Sequence, residues 1–470
     1  MRSMPATGIT QELATELRSF LGAEGISTDE LDLVTYAYDA TRKNYPPWAV
    51  VWPTETAQVS RIMRIATRER IPVYPRGSGS GMTGGALPTQ GGIVLSLERM
   101  NRIIKIDTAN RTVTAQPGVF LGELKSAVQE KGLFYPPDPS SAKIASLGGT
   151  LAECAGGLNC VKYGTTKDYI MSVEAVLPDG DVIHLGSRAR KNVSGYNLLQ
   201  LLVGSEGTLA IITQATVRLV PYPPYRSTFL AVFDSVEKAG QAVVSVLNGP
   251  VVPSALEFMD RVSLECVSAY MSVDTIPIAE AVLLGEVDGF TPDAVSRDAK
   301  TVGEICQQGG ARTVQQASDR NDRESLWELR RNLSPSMHKK ARVKQNEDIS
   351  VPLAEFPGLL RDVYEIAARH GVTVICFGHA GDGNLHVNFM SDTEDDPAVH
   401  RGIVDVFKRT VDLGGSISGE HGIGITKAEF LPLEWGEREL GLIRDVKKVF
   451  DPLDVLNPGK ILPDRKNEAE

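Results

Sequence analysis

The sequence has few cysteines, no excess of basic residues and no long hydrophobic run. Five cysteines are an odd and sparse set for 470 residues, which argues against a disulfide framework. They show no CxxC spacing, which argues against a zinc or iron–sulfur cluster held by this chain alone. Lysine and arginine total 49 against 59 aspartates and glutamates, so a nucleic-acid partner is not expected. No segment supplies the roughly 18 apolar residues of a membrane span, and the first twenty residues lack the apolar stretch of a signal peptide. We therefore expect a cytoplasmic protein without direct membrane insertion.

The 470 residues divide into three regions that differ in composition and in predicted secondary structure. Residues 1–45 read as helical, and residues 46–222 are rich in glycine and in short β-branched runs. A proline-rich boundary at 221–224 precedes a more even alternation of strands and helices over residues 223–463. Strands dominate the middle region without regular βαβ alternation, which predicts the α+β class, and the region after the boundary predicts a ferredoxin-like arrangement.

A glycine-rich loop at residues 75–85 contains a formal GxGxxG at 79–84. A nicotinamide-binding Rossmann site needs a helix to open on this loop, but residues 86–92 carry Pro88 and two more glycines. The same glycines allow consecutive backbone N–H groups to converge on an anion such as a pyrophosphate. We therefore favour a phosphate-binding loop, with a flexible surface loop and a nicotinamide site as the alternatives.

Three of the seven histidines lie in two short motifs, residues 377–389 and 418–424. A hairpin centred between residues 382 and 383 predicts that His379 and His386 face each other, with Cβ atoms roughly 4.5–5.5 Å apart. Two imidazoles at this distance can hold one divalent cation, and Glu420 beside His421 is the candidate carboxylate. A hydrogen-bonded histidine pair next to a polar turn is the alternative. The remaining histidines are predicted to be structural: His184, His338, His370 and His400.

A candidate substrate anchor lies on the helix predicted around residues 324–334. Arg330 and Ser334 share a face by their i, i+4 spacing, and Lys344 follows ten residues later. A solvated helix arginine is the alternative.

Four separated glycine-rich segments occur in the order typical of one flavoprotein family: 75–85, 136–157, 162–168 and 201–213. Together they resemble the vanillyl-alcohol-oxidase-type (PCMH-type) FAD-binding domain. The chain is most similar to the group of D-lactate dehydrogenase, the glycolate oxidase flavin subunit and D-2-hydroxyglutarate dehydrogenase, from about residue 40 to residue 460. This resemblance implies an FAD-binding domain at 46–222 and a ferredoxin-like α+β substrate- and metal-binding domain at 223–463 that closes back on the flavin.

The resemblance also implies where FAD binds. No histidine or cysteine occurs in residues 75–92, so we expect non-covalent FAD. The implied FAD contacts are Arg76, Gly77, Ser78, Gly79, Ser80, Gly81, Gly84, Gly85, Asp138, Ser140, Ser141, Gly148, Gly149, Gly156, Gly164, Thr165, Glu206, Gly207, Ile211 and Asn457.

For the reaction, the resemblance implies oxidation of a small D-2-hydroxy acid, first D-lactate, with glycolate or D-2-hydroxyglutarate as alternatives. The implied ligands of a divalent zinc, iron or manganese ion are His379, His386 and Glu420. The implied catalytic residues are His421 as the base, Asn388 at the substrate, and Arg330, Ser334 and Lys344 at the carboxylate. Electrons would leave to an iron–sulfur or electron-transferring flavoprotein partner, or to a quinone. A nicotinamide-dependent dehydrogenase and a non-catalytic flavin and metal electron-relay subunit remain the alternative functions.

Overall fold

The computed structural model describes residues 8–271 and 279–463. The strands are β1 (Ile26–Ser27), β2 (Ala49–Val51), β3 (Val73–Arg76), β4 (Ile93–Ser96), β5 (Ile103–Asp107), β6 (Thr112–Ala115), β7 (Leu133–Phe134), β8 (Ile170–Val176), β9 (Val182–Gly186), β10 (Ile211–Arg218), β11 (Val220–Pro221), β12 (Tyr225–Phe233), β13 (Ala255–Asp260), β14 (Ala281–Gly289), β15 (Thr313–Gln316), β16 (Val343–Ser350), β17 (Thr373–Gly378) and β18 (Asn384–Ser391). The helices are α1 (Gln11–Leu21), α2 (Glu30–Tyr36), α3 (Thr56–Glu69), α4 (Leu121–Gln129), α5 (Leu147–Glu153), α6 (Cys160–Tyr163), α7 (Leu198–Leu202), α8 (Val236–Leu247), α9 (Arg261–Met271), α10 (Pro292–Gln308), α11 (Arg320–Arg331), α12 (Leu333–Ser336), α13 (Phe356–His370), α14 (Pro397–Asp412), α15 (Leu431–Glu434) and α16 (Glu437–Phe450).

The first sheet has the strand order β1-β2-β4-β3, with β2, β4 and β3 parallel. Helix α3 packs on it through the apolar residues Val59, Ile62, Met63 and Ala66, which are all buried. β3 ends at Arg76, and residues 77–92 then reach β4 without forming a helix. The helix required by a nicotinamide-binding Rossmann site is therefore missing from this loop.

Residues 1–45 are predicted to be helical, and residues 1–7 of this segment lie outside the described residues. The rest contains α1 and α2, but also β1, which pairs with β2 through Ile26 and Val51. The sequence analysis did not predict this strand, because a two-residue strand carries no periodicity of its own.

The second sheet is antiparallel, with the order β5-β6-β10-β8-β9. Its inner face packs on α4 and α5 through buried leucines that include Leu121, Leu124, Leu147 and Leu151. This packing fixes the first turn of α5, which faces the candidate site described below.

The third sheet has seven antiparallel strands in the order β15-β12-β14-β13-β17-β18-β16. β12, β13, β14 and β15, with α8 and α10, form the predicted ferredoxin-like unit, and β17, β18 and β16 extend it. Strand β14 is buried on both faces: Leu283 packs with α8 and α10, whereas Leu284 packs with α9 and Trp327 of α11. The predicted α+β class is confirmed.

The described carboxyl-terminal segment returns to the first sheet. The backbone N–H of Val73 donates to the carbonyl of Val455 (2.8 Å), and the N–H of Asn457 donates to the carbonyl of Val73 (2.8 Å). The chain therefore ties its third sheet back to its first, with a cavity between them. Among the described helices, none combines the length and the apolar character that crossing a bilayer requires.

Candidate active site

A cavity of 790 Å³ lies between the two halves of the chain, within the size range of small-molecule sites. One wall consists of the loop after β3, the start of α5 and residues 202–212; the opposite wall comes from α11, β16, β18 and the 418–424 turn. The predicted residues that line it are Arg76, Gly77, Ser78, Gly79, Ser80, Gly81, Gly85, Asp138, Ser140, Ser141, Gly148, Gly149, Glu206, Gly207, Ile211, Arg330, Ser334, His386, Glu420 and His421.

The glycine loop lies directly on the buried side chain of Arg76. Nη2 of Arg76 donates to the carbonyl of Tyr38 (2.8 Å), whereas Nη1 is buried without a partner among the described residues. A Cβ atom on Gly79, which has φ +69°, would lie 2.2 Å from Nη2, and one on Gly77 would lie 2.2 Å from Oγ of Ser146. Only glycine fits this close approach, and the free guanidinium N–H suits a phosphate anion.

The start of α5 brings glycine backbone close to the cavity, although the N–H of Gly148 itself donates to the carbonyl of Pro117 (2.8 Å). Ser146 caps the helix by accepting the N–H of Gly149 (3.2 Å), and both Gly148 and Gly149 line the cavity. A Cβ on Gly148 would lie 2.5 Å from Cβ of Pro117. Glycines disfavour a helix, so their presence here indicates close packing and access to the backbone. The glycine loop after β3 therefore fits the phosphates of a dinucleotide, and the start of α5 allows a bound molecule to approach its backbone closely.

Five residues predicted to contact the cofactor do not line the cavity: Gly84, Gly156, Gly164, Thr165 and Asn457. Gly84 instead packs on the side chain of Ile425, where a Cβ would lie 2.6 Å from a carbon atom. Gly156 lies against Glu420, because a Cβ there would be 3.0 Å from Oε2. These two glycines allow other chain segments to pack behind the site.

Gly164 and Thr165 belong to a local cap. The carboxylate of Asp168 accepts the N–H of Thr165 (2.8 Å), and a Cβ on Gly164, with φ +82°, would lie 2.4 Å from the same carboxylate. Both residues shape the start of a short helical turn rather than the cavity surface.

Asn457 is buried behind the loop. Its Nδ2 donates to the carbonyls of Gly85 (2.9 Å) and Glu206 (2.7 Å), and the neighbouring Lys460 donates to the carbonyl of Leu87 (2.5 Å). The carboxyl-terminal segment thus holds the glycine loop in position from outside the cavity.

The two histidines and the glutamate predicted as metal ligands converge. Nε2 of His379 lies 3.1 Å and Nε2 of His386 lies 3.5 Å from Oε1 of Glu420. Ligands bound to a metal at 2.0–2.1 Å in tetrahedral geometry are about 3.4 Å apart. The donor set therefore fits a divalent cation. His379 itself does not line the cavity and reaches the cluster from behind.

The two imidazoles have opposite electrostatic surroundings. Burial alone would lower the pKa of His379, but the carboxylates of Glu257 and Glu420 raise it well above its ordinary value. Burial, together with the neighbouring His421 and His379, lowers the pKa of His386 well below its ordinary value. A cation would require both rings neutral, so binding it would release a proton from this cluster.

The predicted hairpin register is wrong by two residues. His386 pairs with Phe377, not with His379, because a short helical turn at Ala380–Asp382 lengthens the connection. His379 is the residue before this turn, and its ring still lies 5.3 Å from that of His386, edge to face. The turn, rather than a direct cross-strand pair, brings the two rings together.

Glu257, which the sequence analysis missed, links the metal ligands to the substrate anchor. It is fully buried at the centre of β13; Oε1 bonds Nδ1 of His379 (2.8 Å), and Oε2 accepts Nε of Arg330 (2.7 Å). Burial would raise the pKa of Glu257, but His379 and Arg330 hold it below its ordinary value. The available signal was an acid inside an apolar strand, since such groups are rarely buried unless paired.

Asp348 of β16 is a second residue that the sequence analysis missed. Its Oδ2 accepts the backbone N–H groups of Glu420 (2.8 Å) and His421 (2.9 Å), and its Oδ1 accepts Nδ2 of Asn384 (2.5 Å). Asp348, His386 and His421 also converge closely enough for a cation, but N–H donors already occupy both oxygens of Asp348. Asp348 therefore fixes the 418–424 turn.

The ring of His421 stacks on that of His386, with centroids 5.2 Å apart and an angle of 14°. Its Nδ1 lies 4.0 Å from Oδ2 of Asp348. Since His421 lines the cavity, its ring is available to a bound molecule next to the cluster.

Arg330 presents a free donor to the cavity. Its Nε is bonded to Glu257, whereas its Nη2 is buried without a partner among the described residues. Ser334 also lines the cavity and accepts Nζ of Lys344 (2.7 Å), which does not line it. Burial, together with Arg42, lowers the pKa of Lys344 to about 8.

Asn388 does not line the cavity. It is fully buried, its Nδ2 donates to the carbonyl of Ile375 (3.0 Å), and its Oδ1 accepts Nδ2 of Asn346 (2.7 Å). Asn346, on the neighbouring strand, lines the cavity instead, and its Oδ1 is buried without a partner among the described residues. Asn388 is two residues after His386 in β18, but its amide is hydrogen-bonded to the neighbouring strands β16 and β17.

The four other histidines lie elsewhere. His370 bonds the carboxylate of Asp405 (2.8 Å), and the ring of His400 packs on Phe430. None of the four lines the cavity: His184, His338, His370 and His400.

Two family models match the sequence. The model described as "FAD binding domain" matches residues 47–186, and the model described as "FAD linked oxidases, C-terminal domain" matches residues 222–461.

Curated relatives match over almost the whole chain. The glycolate oxidase subunit GlcD of Bacillus subtilis is 39% identical over 460 residues, covering 96% of this chain and 97% of the relative. The D-lactate dehydrogenase of Archaeoglobus fulgidus is 38% identical over 435 residues, covering 91% and 95%.

Solved structures share the fold at low identity. p-Cresol methylhydroxylase with substrate bound has a TM-score of 0.79 at 19% identity and covers 98% of this chain and 99% of that one. Alkyldihydroxyacetonephosphate synthase has a TM-score of 0.75 at 20% identity and covers 97% and 86%. The predicted PCMH-type fold and FAD as the cofactor are confirmed. The chain is an enzyme and belongs to the family of FAD-linked oxidases.

Proposed function

We propose that this enzyme oxidises a small D-2-hydroxy acid to the 2-oxo acid. The observation that carries the proposal is that one cavity is lined by a buried arginine with a free donor, by His386 and Glu420 of the His/His/Glu cluster, by an accessible imidazole and by the glycine-rich loops. Relatives named D-lactate dehydrogenase and glycolate oxidase subunit support this substrate class. D-Lactate is our first expectation, with glycolate and D-2-hydroxyglutarate as alternatives.

Arg330 binds the substrate carboxylate in this proposal. Its Nε is committed to Glu257, so Nη2 is the free half of the guanidinium fork, and it is buried. A buried donor without a partner costs about 1–3 kcal/mol, which an incoming carboxylate would recover. Ser334, held by Lys344, supplies a further polar group beside it.

His379, His386 and Glu420 would hold one divalent zinc, iron or manganese ion. When bound, the cation would polarise the α-hydroxyl and lower its pKa. Glu257 orients His379 through Nδ1, as carboxylates commonly orient metal-binding histidines. Because Glu257 also holds Arg330, one buried carboxylate sets the spacing between the carboxylate anchor and the cation ligands.

His421 accepts the hydroxyl proton. Asp348 positions the ring by accepting two backbone N–H groups of the turn, those of Glu420 and His421. When bound, FAD supplies the hydride acceptor, N5 of the isoalloxazine.

The proposed domain division is an FAD-binding domain at residues 46–222 and a substrate- and metal-binding domain at residues 223–463, preceded by residues 1–45. The two family matches support this division: one begins at residue 47 and the other at residue 222, close to the two proposed starts. The first match ends at residue 186, which is 36 residues before the proposed end of the FAD-binding domain. The partner in this proposal is a separate electron acceptor, namely an iron–sulfur protein, an electron-transferring flavoprotein or a quinone.

Anaerobic mixing of the FAD-loaded protein with D-lactate, glycolate and D-2-hydroxyglutarate tests the function. We expect at least one of these acids to bleach the flavin absorbance, with L-lactate as the matched control. FAD that is retained but reduced by none of the three acids would contradict the proposal and favour the electron-relay alternative.

A further inference from the structure

Glu153, the last residue of α5, is an unassigned ionisable group in the cavity. It lines the cavity, and its Oε2 is buried without a hydrogen-bond partner among the described residues. It lies among three glycines from two segments. A Cβ on Gly81 or Gly85 would lie 3.9 Å or 3.0 Å from Oε1 of Glu153, and a Cβ on Gly422 would lie 2.3 Å from its Oε2. The fold therefore leaves room for this carboxyl group between the glycine loop and the 418–424 turn.

A second carboxyl group lies beside it. A Cβ on Gly422 would touch both Oε2 of Glu153 (2.3 Å) and Oε1 of Glu206 (2.9 Å). The two oxygens of Glu206 accept the backbone N–H groups of Ile423 and Gly424, each at 2.7 Å. Two N–H donors favour the ionised form, so Glu206 takes the negative charge of the pair.

Glu153 carries the proton of the pair. Burial and the neighbouring Glu206 raise the pKa of Glu153 well above its ordinary value, because two adjacent carboxylates cannot both ionise without solvent. Asp39 adds to the same effect. Burial raises the pKa of Glu206 as well, but the two N–H donors, Lys460 and Lys427 oppose that rise. A neutral carboxylic acid is a hydrogen-bond donor, and no described residue donates a hydrogen bond to Oε2 of Glu153.

We propose that Glu153 is a neutral carboxylic acid that donates a hydrogen bond to an acceptor atom of the FAD ring system. Both oxygens of the neighbouring Glu206 already accept backbone N–H groups, whereas Glu153 lines the cavity in which the cofactor would offer further acceptors. Such a donor stabilises the reduced flavin more than the oxidised one, because reduction increases electron density on the ring. The inference depends on FAD binding and not on the substrate proposed above.

The test compares Glu153→Gln, which keeps a neutral donor, with Glu153→Leu, which removes it. Glu123→Gln, at an exposed position of α4, is the control for a surface change of the same type. The measurements are the FAD dissociation constant of each apoprotein and the flavin midpoint potential of each reconstituted protein, with a chemical reductant and no substrate. They remain informative if no 2-hydroxy acid reduces the flavin.

We expect Glu153→Gln to keep the wild-type potential and to bind FAD within about three-fold of wild type. Glu153→Leu is expected to lower the potential and to weaken FAD binding at least ten-fold. A higher potential in Glu153→Gln would show that a negative charge had been removed, and would overturn the proposal. Wild-type affinity and potential in Glu153→Leu would also overturn it. If the leucine variant does not fold, the potential of the glutamine variant decides alone.

Discussion

The two walls of the cavity are built in different ways. The glycine wall, residues 76–85 and 146–149, presents mostly backbone atoms, and its shape depends on positions where no Cβ fits. The ionisable wall, formed by Arg330, His386, Glu420 and His421 with His379 behind them, presents side chains that Glu257 and Asp348 hold in position. The comparison indicates that one wall serves cofactor affinity and the other serves reaction rate, so substitutions should separate the two properties.

His421→Ala should give the largest change in reaction rate without a change in cofactor affinity. Removing the proposed base is expected to slow flavin reduction by the substrate about 10³-fold, within the range for general-base loss, while FAD and metal content stay at wild-type levels. The backbone N–H of His421, not its ring, holds the turn on Asp348, so the fold should survive. Stopped-flow absorbance checks this, with His370→Ala as the control outside the cavity. Unchanged reduction would remove His421 from the mechanism.

Glu257→Gln should damage the ionisable wall alone. The variant leaves Arg330 and His379 without their shared carboxylate, and loss of one partner in a buried ion pair costs about 3–5 kcal/mol. We expect a roughly 10²-fold lower kcat/KM and partial loss of bound metal, measured by kinetics and elemental analysis, with FAD retained. Glu265→Gln, at an exposed pair with Arg261, serves as the control. Full metal content together with wild-type kcat/KM would contradict the positioning role.

Gly79→Ala should damage the glycine wall alone. Gly79 and Gly132 have the same φ of +69°, but a Cβ on Gly79 would collide with Arg76, whereas one on Gly132 has nothing within 4 Å. Both variants carry the same backbone strain of about 1 kcal/mol. We therefore expect an FAD dissociation constant at least about ten-fold higher in Gly79→Ala than in Gly132→Ala, with metal binding unchanged in both. Equal FAD affinity would show that the loop does not bind the cofactor closely.

Lys344→Met should give the smallest effect, and only on pH dependence. With a pKa of about 8, Lys344 is a cation below that pH and neutral above it, so its attraction for an anionic substrate is lost as pH rises through 8. We expect the KM of wild type to rise about three- to ten-fold between pH 7 and 9 and that of Lys344→Met to stay flat. A rise of the same size in the variant would place the titrating group elsewhere.

The glycine wall was largely predictable from the sequence, because glycines that exclude a Cβ leave a pattern in one contiguous stretch. The exceptions, such as Gly84 and Asn457, face away from the cavity because long-range contacts with Ile425 and Glu206 decide their direction. No local pattern encodes such contacts.

The ionisable wall was only partly predictable. The motif histidines and Glu420 were named, but the hairpin register failed because the helical turn after His379 is set by tertiary packing. Glu257 and Asp348 were missed because each lies in a strand far along the chain from its partners, where a single acid gives no spacing to interpret.

The most direct test of the account is an anomalous difference map of the FAD-loaded crystalline protein, collected above and below the absorption edge of its bound metal. The account predicts one peak beside the flavin ring, within bonding distance of Nε2 of His379, Nε2 of His386 and the carboxylate of Glu420. A fully occupied cation at another position, with these three ligand groups bonded to one another and to no metal, would contradict the account.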